Sequence, residues 1–295
     1  MEGLVIDSDS SVARGNNLKD LHPEIKPIKM PFVLISNLKK NWYLLSNMVK
    51  RNLNQRYNKA ILGYVWTLLE PALLAFVYYI LFIIIADYDD KNYPMLILLG
   101  VIGWSFFVKV LNSTVSTMHN NSGMIKQSGF PLEIFPAADC LTNLVICCVS
   151  IFTVIPFMIH LQIQPSATLW MLPVAVTMLM FTAVGIGLLF APLNIIFPDI
   201  SHGFRFITRA GFFVSPIMWT QDILISRVGE NSQYIDIVML NPVVVPLTMM
   251  RHAIQGTVPE FELIHLLYAI LFPIFSYWIG SIVFLKNARK VVKRL

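Results

Sequence analysis

The chain has 295 residues, 56% hydrophobic and 13% charged, with 22 Lys and Arg against 17 Asp and Glu and a mean hydropathy of +0.65. Soluble domains carry about 25% charged residues, so this composition excludes a single water-soluble core and points to helices that satisfy their own backbone inside lipid. The apolar runs are about 20 residues long and do not alternate, which excludes a transmembrane β-barrel and leaves no room for a separate soluble catalytic domain.

Residues 1–30 are polar and broken by Gly and Pro. They are expected to form a flexible cytoplasmic tail, and they lack the apolar core of a cleavable signal peptide. Across residues 31–59, Leu34, Leu38, Tyr43, Leu45, Met48 and Leu53 alternate with Lys39, Lys40, Lys50, Arg51 and Arg56. With Trp42 and Tyr43 this spacing predicts an amphipathic helix. It either lies on the membrane surface or packs on another domain, and the adjoining apolar run favours the surface.

Residues 60–285 hold the predicted spans. Span 1 covers about 62–86, followed by the acidic loop DYDDKNY, and span 2 covers about 95–117. A polar, Gly/Pro-punctuated loop over 119–136 leads to span 3 at about 137–161. Span 4 covers about 169–193, with Gly185 and Gly187 inside it. Span 5 is short, about 204–218, and span 6 covers about 263–285. Between them IDIVMLNPVVVPLTMM is broken by Pro242 and Pro246, which predicts a re-entrant hairpin rather than a span. The fold class is thus all-α, with six transmembrane helices, an interfacial helix and one hairpin, ending in a basic tail at 286–295.

Lys and Arg set the orientation. They crowd the N-terminal segment, the C-terminal tail (Lys286, Arg289, Lys290, Lys293, Arg294) and the 4–5 link (Arg205, Arg209), and Lys126 lies in the 2–3 loop. The 3–4 loop has neither, and the 1–2 loop has one Lys against three Asp. Both termini are therefore expected in the cytoplasm.

Several stretches resemble one family in the expected order. RNLNQRYNKAILGYVWTLLEP (51–71) places Arg51, Arg56 and Tyr57 before Leu62-Gly63-x-x-Trp66 and Pro71. YPMLILLGVIGWSFF (93–107) carries Leu99-Gly100 and Trp104, and GMIKQSGFPLEIFP (123–136) is a basic loop ending in Phe-Pro. VSPIMW (214–219) and LNPVVVPLTMMRHAI (240–254) follow. Together these resemble the ABC-2 type permeases that export O-antigen, teichoic acid and capsule polysaccharides. One departure is Pro198-Asp199 where many relatives carry Arg-Asp, so a pairing of that Arg with a cytoplasmic acid would be made here by another residue, such as Arg205.

The resemblance implies a homodimer with two copies of a separate ATPase subunit in a prokaryotic inner membrane. That subunit would hold ATP and Mg, and the cargo would be a lipid-linked glycan; no cofactor and no nucleic acid are expected on this chain. The sequence agrees in having no G-x-x-x-x-G-K-[ST] phosphate loop. It also shows no G-x-S-x-G elbow, no H-E-x-x-H metal motif and no carboxylate pair within one span, so no catalytic residue and no metal ligand is assigned. Inverted repeats of broken helices, the mark of many ion-coupled carriers, have no counterpart here. The remaining alternative is an ABC-2 exporter of small hydrophobic compounds, which usually lacks the Arg-Tyr start.

Met124, Ile125, Lys126, Phe130, Pro131 and Glu133 are the expected ATPase-coupling loop, with the apolar residues as anchors. Arg51, Arg56 and Tyr57 are expected where a lipid-linked chain is admitted at the bilayer edge. Channel or gate candidates are Tyr64, Trp66, Glu70, Tyr78, Leu99, Gly100, Trp104, Phe107, Phe212 and Phe213. Aromatic rings can stack on sugars, and they also form interfacial belts. Glu70 and Lys109 are ionisable residues within apolar runs, by default functional, and a pairing between them is one arrangement open to them. Cys140, Cys147 and Cys148 share one apolar run and are read as small packing residues.

Overall fold

A computed structural model describes residues 27–57, 61–86, 91–127, 131–229 and 233–292, and every regular element among them is helical. Most of the N-terminal tail, the acidic residues 87–90 and Phe130 lie outside the described residues.

Two helices, α1 (Met30–Lys40) and α2 (Trp42–Tyr57), occupy the place of the single expected surface helix. The break falls at Asn41, which leaves helical geometry and turns its side-chain amide back to the Asn37 carbonyl. A 3-10 turn at Gly63–Val65, with Gly63 at φ +48°, leads into α3 (Trp66–Ala86); only glycine takes that conformation cheaply. α4 (Tyr93–Asn120) is followed by the short α5 (Ser122–Gln127). α6 (Ile134–Ile151) runs through a 3-10 turn into α7 (Ile155–His160). Next come α8 (Met171–Ile196), α9 (Asp199–Val214) and α10 (Gln221–Val228). α11 (Gln233–Met239), α12 (Val244–Gln255) and α13 (Leu263–Val292) complete the chain.

Among the described residues, four stretches can cross a membrane by length and composition: Tyr93–Asn120, Ile134–His160, Ala167–Ile196 and Leu263–Ala288. α3, 21 residues long, is apolar as well. α11 and α12 meet at 90°, at the Asn-Pro break.

α4 is the axis of the bundle. Its 28 residues extend about 42 Å, more than the roughly 30 Å hydrocarbon core of a bilayer. Residues 95–104 are buried on every side, as a helix apolar all round requires. α8, α6, α3, α12 and α9 surround it, and α13 lies along α8. A second cluster at one end joins Leu34, Leu45 and Met48 of α1 and α2 to Ile125, Phe135 and Phe284. Phe32, Trp42 and Tyr43 stay exposed on the outer side of these helices, and Phe32 meets Trp278 edge-on at 6.1 Å.

The expected fifth span is shifted. α9 starts at Asp199 and stops at Val214, so its 16 residues cover only about 24 Å. Ser215 is extended because Pro216 follows it, and a residue before proline avoids the helical region. Residues 215–219 continue as irregular chain.

Backbone contact sets the closest crossing. A Cβ on Gly280 of α13 would strike the Gly185 carbonyl of α8, and one on Gly185 would strike the backbone at Ser276 and Tyr277. Small residues let apolar helices approach where lipid supplies no hydrophobic drive. Gly280→Val is therefore expected to lower the unfolding temperature of the purified chain in detergent by an amount matching about 1–3 kcal/mol of overpacking. Gly203→Ala, where a Cβ meets nothing within 4 Å, should leave it unchanged.

Candidate functional site

Two polar assemblies interrupt this apolar bundle. The first runs along the junction of α2, α3, α4 and α6. Lys109, Ser113 and Thr117 recur every fourth residue on α4, and Asp139 and Asn143 do so on α6, so each set shares a helix face. At one end Asp139 accepts from Thr117 Oγ1 at 3.1 Å and from Asn52 Nδ2 at 3.2 Å. One turn on, Asn143 donates to Ser113 Oγ at 3.5 Å and receives Arg56 Nη1 at 3.4 Å. At the far end Lys109 Nζ lies 3.2 and 3.1 Å from the Glu70 oxygens. Thr67, Ser105 and Ser150 line a small cleft beside this ion pair, where Ser150 Oγ donates to the Thr67 carbonyl at 3.1 Å. The seam therefore leads from the α2 docking surface to a carboxylate whose side chain is half exposed. A polar molecule moving along it would meet donors and acceptors instead of hydrocarbon.

The second assembly centres on Arg251 of α12, which is only 3% exposed. Its Nε donates to Leu96 O at 3.0 Å, Nη1 to Trp219 O at 3.1 Å and Nη2 to Ile217 O at 2.8 Å. Tyr93 donates its hydroxyl to Met218 O, and Asn241 Nδ2 donates to Ser215 Oγ at 2.9 Å. Irregular backbone in an apolar interior is tolerated only where protein groups satisfy it, and Arg251 and Tyr93 do so for the carbonyls of 217–219. Gly100 leaves the space: a Cβ there would stand 2.7 Å from Arg251 Nη2 and 2.9 Å from Ile217 O. Three stretches that carried the family resemblance, at 93–107, 214–219 and 240–254, thus meet at one guanidinium.

The candidate residues fall into separate places. Leu99 and Gly100 are buried in the bundle, Gly100 against the Arg251 guanidinium. Trp104 and Phe107 are also buried, with ring centroids 5.6 Å apart, and Trp104 covers Gly211 of α9. Tyr64, Trp66, Glu70 and Phe213 are exposed, and Phe212 packs partly on the core. Tyr64 also donates to Asn54 Oδ1 at 3.4 Å. The side chains of Tyr57 and Tyr78 lie outside the described residues, although both sit on described helices.

In the 119–136 loop, α5 turns its apolar side inward. Ile125 is buried in the second cluster, Met124 is half-buried, and its sulfur faces the Arg51 guanidinium. Glu133 is buried and accepts from Asn37 Nδ2 at 2.6 Å, which ties α1 to the start of α6. Pro131 is half-buried, and Lys126 and Gly123 are exposed. Ile125 and Glu133 therefore anchor the loop to its own chain, leaving Lys126 to face outward. Arg205 bonds within its own helix, to Ser201 O at 3.3 Å and His202 Nδ1 at 3.1 Å.

Asn52, Ser113, Thr117 and Asn143 were absent from the sequence-derived candidates. The visible signal was the four-residue recurrence of polar side chains inside runs otherwise read only for hydropathy. Asp236, Glu262 and His265 also come together from distant segments, and the Glu-x-x-His spacing marked two of them.

Searches against protein-family profiles find no match. Individual relatives are clear. The chain is 25% identical over 227 residues to the O-antigen export system permease protein RfbA of Klebsiella pneumoniae, covering 76% of this chain and 85% of that protein. It is 25% identical over 209 residues to the protein of the same name from Myxococcus xanthus, covering 70% and 77%. It is 24% identical over 234 residues to the polysialic acid transport protein KpsM of Escherichia coli, covering 78% and 88%. The relatives are named as export permeases or transport proteins, and the all-helical bundle with its long apolar helices is in keeping with them. The chain is a homologue of polysaccharide-export permeases, and the ABC-2 resemblance of its motifs holds.

Two outcomes follow from this geometry. Glu70→Lys and Lys109→Glu should each reduce transport in cells, and the double exchange should restore part of the loss because the opposite charges face each other again. Arg251→Met strips donors from three carbonyls at about 1–3 kcal/mol for each left unsatisfied. The unfolding temperature in detergent should fall, with Arg251→Lys recovering only part because an ammonium lacks the guanidinium fork.

Proposed function

We propose that this chain is the membrane permease of an ATP-driven exporter that moves a lipid-linked surface polysaccharide from the cytoplasmic to the outer leaflet. The observation that carries the reading is the polar seam from Asp139 to Glu70 inside a largely apolar bundle. Fixed donors and acceptors along such a seam suit a hydroxylated polymer, whereas a small hydrophobic compound needs none. The export names of the relatives point the same way.

In this reading six spans cross a prokaryotic inner membrane with both termini in the cytoplasm. α3, α4, α6 with α7, α8 and α13 supply five, and α9 with the irregular 215–219 segment supplies the short sixth. α11 and α12 form the re-entrant hairpin on the outer side, held by Arg251. α1 and α2 lie at the cytoplasmic interface, with Phe32, Trp42 and Tyr43 turned to the headgroups as aromatic anchors. A lipid-linked chain enters beside α2, near Arg51 and Arg56. Two copies of this chain pair with the exposed Tyr64, Trp66 and Glu70 toward the passage. Two copies of an ATPase subunit, holding ATP and Mg, drive it through the α5 loop.

Since Ile125 and Glu133 are used internally, Lys126 carries the outward contact. Lys126→Glu should weaken co-purification with the cognate ATPase and reduce surface glycan, with the permease present at its normal level. Unchanged association and unchanged export would remove the loop from the coupling role. Export of glycan in cells, set against efflux of small hydrophobic dyes, separates the two substrate classes.

A further inference from the structure

Asp236 lies on α11, 26 residues before Glu262 and 29 before His265. Glu262 immediately precedes α13, and its carbonyl accepts the Leu266 amide, so it stands at the head of that helix. A spacing of three residues sets Glu262 and His265 on one face of the first turn. α11 approaches that face, and one ligand atom from each of the three residues lies within 4.8 Å of the others.

The His265 Nε2 to Asp236 Oδ1 distance is 3.4 Å. That is longer than the usual 2.7–3.2 Å of a nitrogen–oxygen hydrogen bond. It equals the roughly 3.4 Å that separates two ligands of a tetrahedral zinc ion with bonds of about 2.1 Å. The donor set mixes one imidazole with two carboxylates, the combination borderline metals take, with further positions left for water. His265 is the more enclosed partner, its side chain 14% exposed, while the carboxylates are exposed and free to close by rotation. The same two regions are tied again where Tyr268 donates to the Leu240 carbonyl at 2.8 Å.

We propose that Asp236, Glu262 and His265 bind a divalent cation of the zinc class and thereby fasten α11 to the first turn of α13. The site touches none of the seam residues and stands whether or not the cargo is a glycan. Bound metal would hold the outer arm of the bent helix pair down, and its removal would free that arm.

The test uses the full chain in detergent, free of any polyhistidine tag and stripped with a chelator. Zn2+ is titrated in competition with a chromogenic indicator. One equivalent should bind the wild type, and Asp236→Asn, Glu262→Gln and His265→Gln should each weaken it by roughly tenfold or more, at least the loss seen on removing groups that merely support metal ligands. His160→Gln and His252→Gln should bind as the wild type does. Zn2+ should also raise the unfolding temperature of the wild type but not of the triple variant, a comparison made only between variants that elute as the wild type does. Equal binding by the wild type and the triple variant, or no binding by the wild type, overturns the proposal.

Discussion

Inside an apolar bundle every polar atom must find its partner within the protein, and α4 is where that constraint is heaviest. Its first half is buried on all sides and meets Arg251 through the Leu96 carbonyl and the glycine at 100. Its second half carries Lys109, Ser113 and Thr117, each bonded to a polar group of the protein. One helix thus supports a rigid end and a hydrophilic end, and the other elements are arranged around that division.

The rigid end follows from proline. Pro216 stops α9 short, the chain continues irregularly, and its carbonyls need donors. Arg251 and Tyr93 supply them, and Asn241 holds the Ser215 hydroxyl beside them. An arginine in such a place is costly unless its own donors are satisfied, and main-chain carbonyls at three separate points do that here. The hydrophilic end has no comparable closure. Glu70 and Lys109 keep side chains 50% and 28% exposed, so they remain available to a polar cargo or to a second copy of the chain.

Hydropathy located the long helices well. Span 2 was expected at about 95–117 and is 93–120, and span 4 was expected at about 169–193 and is 171–196 within a longer apolar stretch. The Asn-Pro break was readable, and so was the Glu70–Lys109 pairing as an open arrangement. The end of α9 was less so, because the restriction that Pro216 places on Ser215 is local and hydropathy averages over it. The inward turn of Ile125 and the burial of Glu133 were hidden for another reason. Both depend on α1 and α2 folding back on the bundle, a long-range contact that loop composition does not encode. The same holds for Gly100, which marks a packing position beside a buried guanidinium.

The central claim is that the seam opens to water while the outer faces of the same bundle meet lipid. The most direct measurement is labelling of single cysteines by a membrane-impermeant maleimide, in a background with Cys140, Cys147 and Cys148 replaced by Ala. Glu70→Cys and Lys109→Cys should react, and Val145→Cys and Ile274→Cys, exposed on the outer surfaces of α6 and α13, should not. Reaction at Val145 and Ile274 with protection of Glu70 and Lys109 would contradict the account.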